Sequence, residues 1–131
     1  MTELNLETAK KMIEQAEEKA KEIKVPMVIT IVDGGGNLLA CHRMDQSLLA
    51  SIDISQNKAW TAVALQMPTS QLYDAVQPGG ELFGINTTNN GKIVVFGGGI
   101  PIKSGDRIIG GIGVSGGSVA EDTEVAEAGL V

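Results

Sequence analysis

Met27-Val28-Ile29-Thr30-Ile31-Val32-Asp33-Gly34-Gly35-Gly36-Asn37-Leu38-Leu39-Ala40-Cys41-His42-Arg43-Met44 is the stretch on which the fold turns. Met27 to Val32 is a dense β-branched run and reads as a buried strand. Asp33 to Asn37 supplies turn residues, each with its own reason to leave an extended chain. Leu38 to Met44 then reads as a second strand, so residues 27 to 44 form a hairpin. Two strands joined this closely must be antiparallel, because a parallel pair needs a crossover of roughly a dozen residues or more.

On the N-terminal side, Leu6, Ala9, Ile13, Ala16, Ala20 and Ile23 recur at helical spacing and form one apolar stripe. Asn5 is placed as its N-cap, Glu7 complements the first turn, and Val25-Pro26 ends it. The charged residues of the opposite side read as a solvated face.

On the C-terminal side, residues 51 to 66 are expected to be helical, with Ile52, Ala59, Ala62 and Val63 on one side. Met67-Pro68-Thr69 breaks that helix, and Thr69 is the expected cap of a short one carrying Leu72, Tyr73 and Val76. Strands are expected at Lys92 to Phe96, Ile100 to Lys103 and Arg107 to Val114, with a closing helix over Ser118 to Ala128. The order α-β-β-α-α-β-β-β-α describes an α+β protein, an α/β sandwich in which a five-stranded antiparallel sheet buries its faces under helices. One domain over 1–131 is expected, and a Rossmann fold is not.

Composition narrows the function classes. The 131 residues carry a formal net charge of −6, no basic stripe and few aromatics, which disfavours nucleic acid and an anionic membrane surface as partners. No apolar run reaches the length of a membrane span. The N-terminus does not read as a secretory signal. The single cysteine, Cys41, leaves nothing to argue for an oxidising compartment. A cytoplasmic location is the resulting expectation.

Three clusters carry candidate chemistry. His42-Arg43-Met44-Asp45 is the densest polar group, at the end of an apolar strand, and His42 is the only histidine. His42 could ligate a metal or haem iron or act as an acid/base; it could equally be a satisfied surface imidazole. Arg43 and Asp45 alternate, so on a strand they would share a face, either to hold a ligand or to pair with each other. Lys58, on the following helix, is expected near them. Gly97-Gly98-Gly99 could be an anion-binding nest of backbone N–H groups or only a tight connection. Gly111-Ile112-Gly113-Val114-Ser115-Gly116 matches G-x-G-x-x-G between a strand and a helix. A dinucleotide site would need a further parallel strand, and the chain stops soon after, at Val131. The glycines read instead as one stripped face of a strand, fit for close approach of a helix or a neighbouring subunit.

Read together, several blocks resemble one family. Ile31-Val32-Asp33-Gly34-Gly35-Gly36-Asn37-Leu38 with His42-Arg43-Met44-Asp45, Lys58-Ala59-Trp60-Thr61-Ala62, Met67-Pro68-Thr69-Ser70-Gln71-Leu72, Gly97-Gly98-Gly99-Ile100-Pro101-Ile102 and Gly110 to Gly117 occur in the order found in the GlcG/HbpS-like, haem-binding or haem-degrading proteins. That family includes the C-terminal domain of PduO. The resemblance implies a five-stranded antiparallel sheet with helices on both sides, similar to profilin and PAS-like folds, and high-order homo-oligomers. It also implies a link to glycolate use or to B12-dependent diol and glycerol metabolism, and in some members haem. The adenosyltransferase activity of PduO belongs to a domain that these residues do not match, so it is not carried over.

The resulting expectation is an oligomeric accessory protein that binds a tetrapyrrole, haem or a corrinoid, or another small metabolite. His42, Arg43, Asp45, Lys58 and Gly97 to Gly99 are its candidate site, and His42 is the metal ligand if iron is bound. An enzyme acting on a small hydroxy acid or aldehyde, with Arg43 orienting substrate, and a ligand-free structural oligomer are the alternatives.

Overall fold

A computed structural model describes residues 3–130. Strands β1 (Val28–Asp33), β2 (Leu38–Arg43), β3 (Gly99–Ser104) and β4 (Arg107–Ser115) form one antiparallel sheet in the order β2-β1-β4-β3. Three α-helices accompany it: α1 (Leu6–Glu22), α2 (Ala50–Leu65) and α3 (Val119–Ala128). Short 3₁₀ turns carry the long connection between α2 and β3.

The hairpin forms as its sequence dictates. Val28 pairs with Arg43, Ile29 with His42 and Thr30 with Cys41. Asp33 organises the turn, its Oδ1 accepting from the backbone N–H groups of Gly35 and Asn37, each at 2.9 Å. These donors, that of Asn37 foremost, hold the Asp33 carboxyl below the ordinary aspartate range. Gly36 supplies the left-handed residue at φ +82°.

The two faces of the sheet are built differently. One face carries Ile29, Ile31, Ile112 and Val114 and meets Ala9, Met12, Ile13, Ala16 and Ala20 of α1 with Val125 and Ala126 of α3. Each large aliphatic side chain fully buried here contributes about 1.5–3 kcal/mol. Asn5 caps α1 by accepting from Thr8 N at 2.8 Å, and Ser118 and Glu121 form a reciprocal capping box at the start of α3. Val119, at the first turn of α3, is half-exposed. On the other face α2 lies against Gly111, Gly113 and Ser115. A Cβ at Gly111 would stand 2.6 Å from the Ala59 carbonyl oxygen, and one at Gly113 would meet the Ser55 carbonyl oxygen. The stripped face read from the sequence is therefore the seat of α2. Small polar residues complete this layer: Thr30 and Ser55 share a hydrogen bond at 2.9 Å, as do Ser115 and Ser51.

Two expectations are corrected. The sheet has four strands rather than five, because Lys92 to Phe96 does not enter it. That run is held to α2 instead: Thr61 Oγ1 donates to the Lys92 carbonyl and accepts from Val94 N, each at 3.1 Å. Thr69 does not cap a helix from outside. It sits buried within a 3₁₀ turn, and its hydroxyl accepts from Gly99 N at 3.0 Å, tying that turn to the start of β3.

Candidate functional site

The expected site residues separate into two groups. His42, Arg43 and Asp45 lie on or just beyond β2, one edge of the sheet, whereas Gly97 to Gly99 lead into β3, the opposite edge. Lys58 belongs with the glycines and not, as expected, with Arg43.

At the β2 edge the hairpin register aims His42 towards α1. Its Nδ1 lies 3.3 Å from Glu17 Oε2, and the imidazole keeps 42% of its surface in solvent. With Nδ1 donating to the carboxylate, Nε2 is left as the acceptor or ligand atom. Strand β2 ends at Arg43, so Asp45 does not share a strand face with it. The chain turns at once: Met44 N donates to the Met27 carbonyl at 3.0 Å, and the Ser47 hydroxyl donates to the Met44 carbonyl at 2.6 Å. Met44 packs towards the core while Arg43 and Asp45 stay exposed. Arg43, Met44 and Asp45 then line an open cavity of about 370 Å³ with Glu17 and Lys21 of α1. No ion pair joins Arg43 to Asp45 among the described residues, so the guanidinium remains available to an external anion.

On the α2 side of the sheet, Lys58 is fully buried. Its ammonium donates to the Val114 carbonyl at 2.8 Å and to Asp122 Oδ2 at 2.9 Å, and stands 5.1 Å from the centre of the Phe96 ring. The second oxygen of Asp122 accepts from Gly117 N at 2.8 Å. Burial pushes the lysine down from its ordinary pKa and the aspartate up, and each partner's charge opposes the other's shift. Gly98, at φ +123°, closes over this pair: a Cβ there would stand 2.6 Å from Lys58 Nζ and 2.7 Å from the Val114 carbonyl oxygen. The Gly98 carbonyl accepts from Val114 N at 2.9 Å, and Gly99 N is taken by Thr69. The glycine turn thus packs against a satisfied ion pair.

The order of residues along the chain does not bring Asp122 to Lys58 or Glu17 to His42. Their partners are distant in the chain, and neither carries a local signal. No group of three or more His, Cys, Asp or Glu residues among the described residues is arranged to hold a metal ion. No helix among them is long and apolar enough to cross a membrane.

The comparisons with known proteins fall on the whole chain. Residues 4–131 match a family model described as haem degrading protein HbpS-like. The uncharacterized 15.0 kDa protein in the dhaT-dhaS intergenic region of Citrobacter freundii is 49% identical over 127 residues, spanning 97% of this chain and 89% of that one. The corrinoid adenosyltransferase PduO of the same organism is 44% identical over 112 residues, which are 86% of this chain but 33% of PduO. The crystal structure of a PduOC:Heme complex superposes with a TM-score of 0.95 at 39% identity, covering 98% of this chain and 94% of that one.

Proposed function

The chain belongs to the HbpS-like family, and on that premise we propose that it binds a tetrapyrrole, haem in the first instance, as an oligomeric accessory protein of the cytoplasm. The likeness to the solved haem complex carries the reading, because it extends over nearly the whole of both chains. The donor set at the β2 edge fits the group. His42 offers Nε2 with its other ring nitrogen oriented by Glu17, the arrangement that fixes a ligating imidazole. Arg43 and Lys21 border the adjoining cavity and suit haem propionates, Arg43 through a bidentate fork. A bound haem would supply a redox-active iron; the residues of this chain bind it, orient it and neutralise its carboxylates. The relation to PduO favours a role beside B12-dependent diol or glycerol metabolism, with a corrinoid as the other tetrapyrrole of that setting.

The test is haem titration of tag-free protein followed by absorption spectroscopy. Wild type is expected to give a saturable Soret band, and His42→Ala to lose the low-spin spectrum while keeping its fold. The side chain stands at a partly exposed strand position, where truncation costs little stability. A wild type without a specific Soret band would overturn the haem reading, and a His42→Ala variant with the wild-type spectrum and affinity would remove His42 as ligand. In solution the protein is expected to assemble beyond a monomer at micromolar concentration; light scattering returning one subunit's mass would contradict the oligomer.

A further inference from the structure

Trp60, the only tryptophan, stands on α2 at the border of a second cavity, remote in composition from the His42 cluster and sharing no residue with it. This cavity, of about 190 Å³, lies between α2 and the hairpin, and Gly36, Leu38, Gln56, Asn57, Trp60 and Lys92 line it. Gly36 is where the turn makes room for the indole: a Cβ there would stand 2.9 Å from Trp60 Cδ1 and 3.2 Å from Nε1. The indole N–H therefore sits at the cavity wall beside Gly36. It has no acceptor among the described residues and is not sealed from solvent. The Lys92 ammonium lies over the indole, 4.9 Å from the ring centre, and meets no carboxylate among the described residues. Asn57 has its Nδ2 engaged by Asp53 at 3.0 Å, and the Gln56 amide makes no side-chain hydrogen bond among these residues.

A solvent-facing cation and a neutral N–H donor, both without acceptors among the described residues, thus border one small concavity that the half-exposed Leu38 also lines. Such a pairing suits an anion with two oxygens and a short apolar body. The ammonium takes the charge, the indole N–H fixes the second oxygen, and the body lies against Leu38. We infer that the Trp60–Lys92 cavity is a binding site for a short-chain carboxylate. The inference goes beyond the tetrapyrrole reading and does not depend on it.

The uniqueness of Trp60 gives a direct readout, since ¹⁵N-labelled protein shows a single indole N–H cross-peak. Titration with propionate is expected to shift that peak saturably in the millimolar range. Propionamide, its neutral isostere, is expected to shift it at least tenfold less. Lys92→Met should weaken the propionate response at least tenfold. Lys103→Met, which removes an exposed ammonium from β3 at the other edge of the sheet, should leave it unchanged. The site is overturned by the absence of a saturable shift with propionate, by an equal response to propionamide, or by a Lys92→Met variant that responds as wild type does. A loss shared equally by Lys103→Met would reduce the effect to bulk charge and overturn it as well. Haem binding by His42 is read separately, so either proposal can fail while the other stands.

Discussion

Lys58 and Asp122 meet at 2.9 Å with the lysine wholly out of solvent, while His42 and Glu17 meet at 3.3 Å with the imidazole 42% exposed. Both are acid–base pairs between separate elements, yet they do different work. Around Lys58 the pair is closed: Val114 and Gly117 take part, and the glycine turn covers the ammonium. Around His42 the pair is open: one ring nitrogen is engaged and the other has no partner among the described residues. A closed pair holds elements together, here α2 to β4 and α3. An open one leaves a ring nitrogen unengaged, which is what the proposed ligand role requires. The difference also explains why a buried lysine with a lowered pKa is a poorer functional candidate than a partly exposed histidine, since perturbed groups mark structural ion pairs as well as sites.

The sharpest way to break this contrast is Lys58→Met. It leaves the Asp122 carboxylate buried without its cation, and the expected loss is about 3–5 kcal/mol in urea unfolding. The double variant Lys58→Met/Asp122→Leu should recover much of that loss, because no charge then remains stranded. A single variant within about 1 kcal/mol of wild type would show that the pair is not closed as described. The matching change on the open side is Glu17→Gln. It should leave unfolding nearly unaltered, as expected of a partly exposed pair, but weaken haem affinity about tenfold by loosening the imidazole proposed as the ligand. Equal haem affinity in Glu17→Gln and wild type would dissociate Glu17 from the ligand site. The smallest effect is expected at the hairpin turn. The lowered pKa of Asp33 means that its contribution is complete above about pH 4 and is lost as pH falls through the folded-state value. Asp33→Asn keeps an acceptor for the turn and removes that titration, so its stability should decline less on acidification, by under about 1 kcal/mol. Parallel acid limbs for the two proteins would count against it.

The sequence revealed the parts of the molecule whose causes are local. The β-branched run at Val28–Val32, the Asp33–Asn37 turn and the Asn5 cap each act on their immediate neighbours, and each lies where its pattern placed it. Lys92 to Phe96 misled because its composition is that of a strand while its hydrogen bonds come from Thr61, on a helix about thirty residues earlier. The candidate site was legible by residue type and not by assembly. His42 was singled out because it is the sole imidazole, but Glu17 is 25 positions away, and nothing in the order of residues joins them. Lys58 was drawn towards Arg43 by chain proximity, although its true acid, Asp122, is 64 positions further on.

The bare face of β4 bears on which changes the protein can absorb. On the α1 side of the sheet, an isoleucine can be exchanged for a leucine or a methionine of similar bulk at a modest penalty, because neighbouring chains readjust. At Gly111 and Gly113 the helix backbone rests on the strand backbone, and no residue smaller than glycine exists. Substitution there runs in one direction only, towards collision. One face of the same sheet can therefore drift through many combinations of side chains, while the other is frozen at its minimum, and the seat of α2 is the portion of the fold with the least freedom to vary.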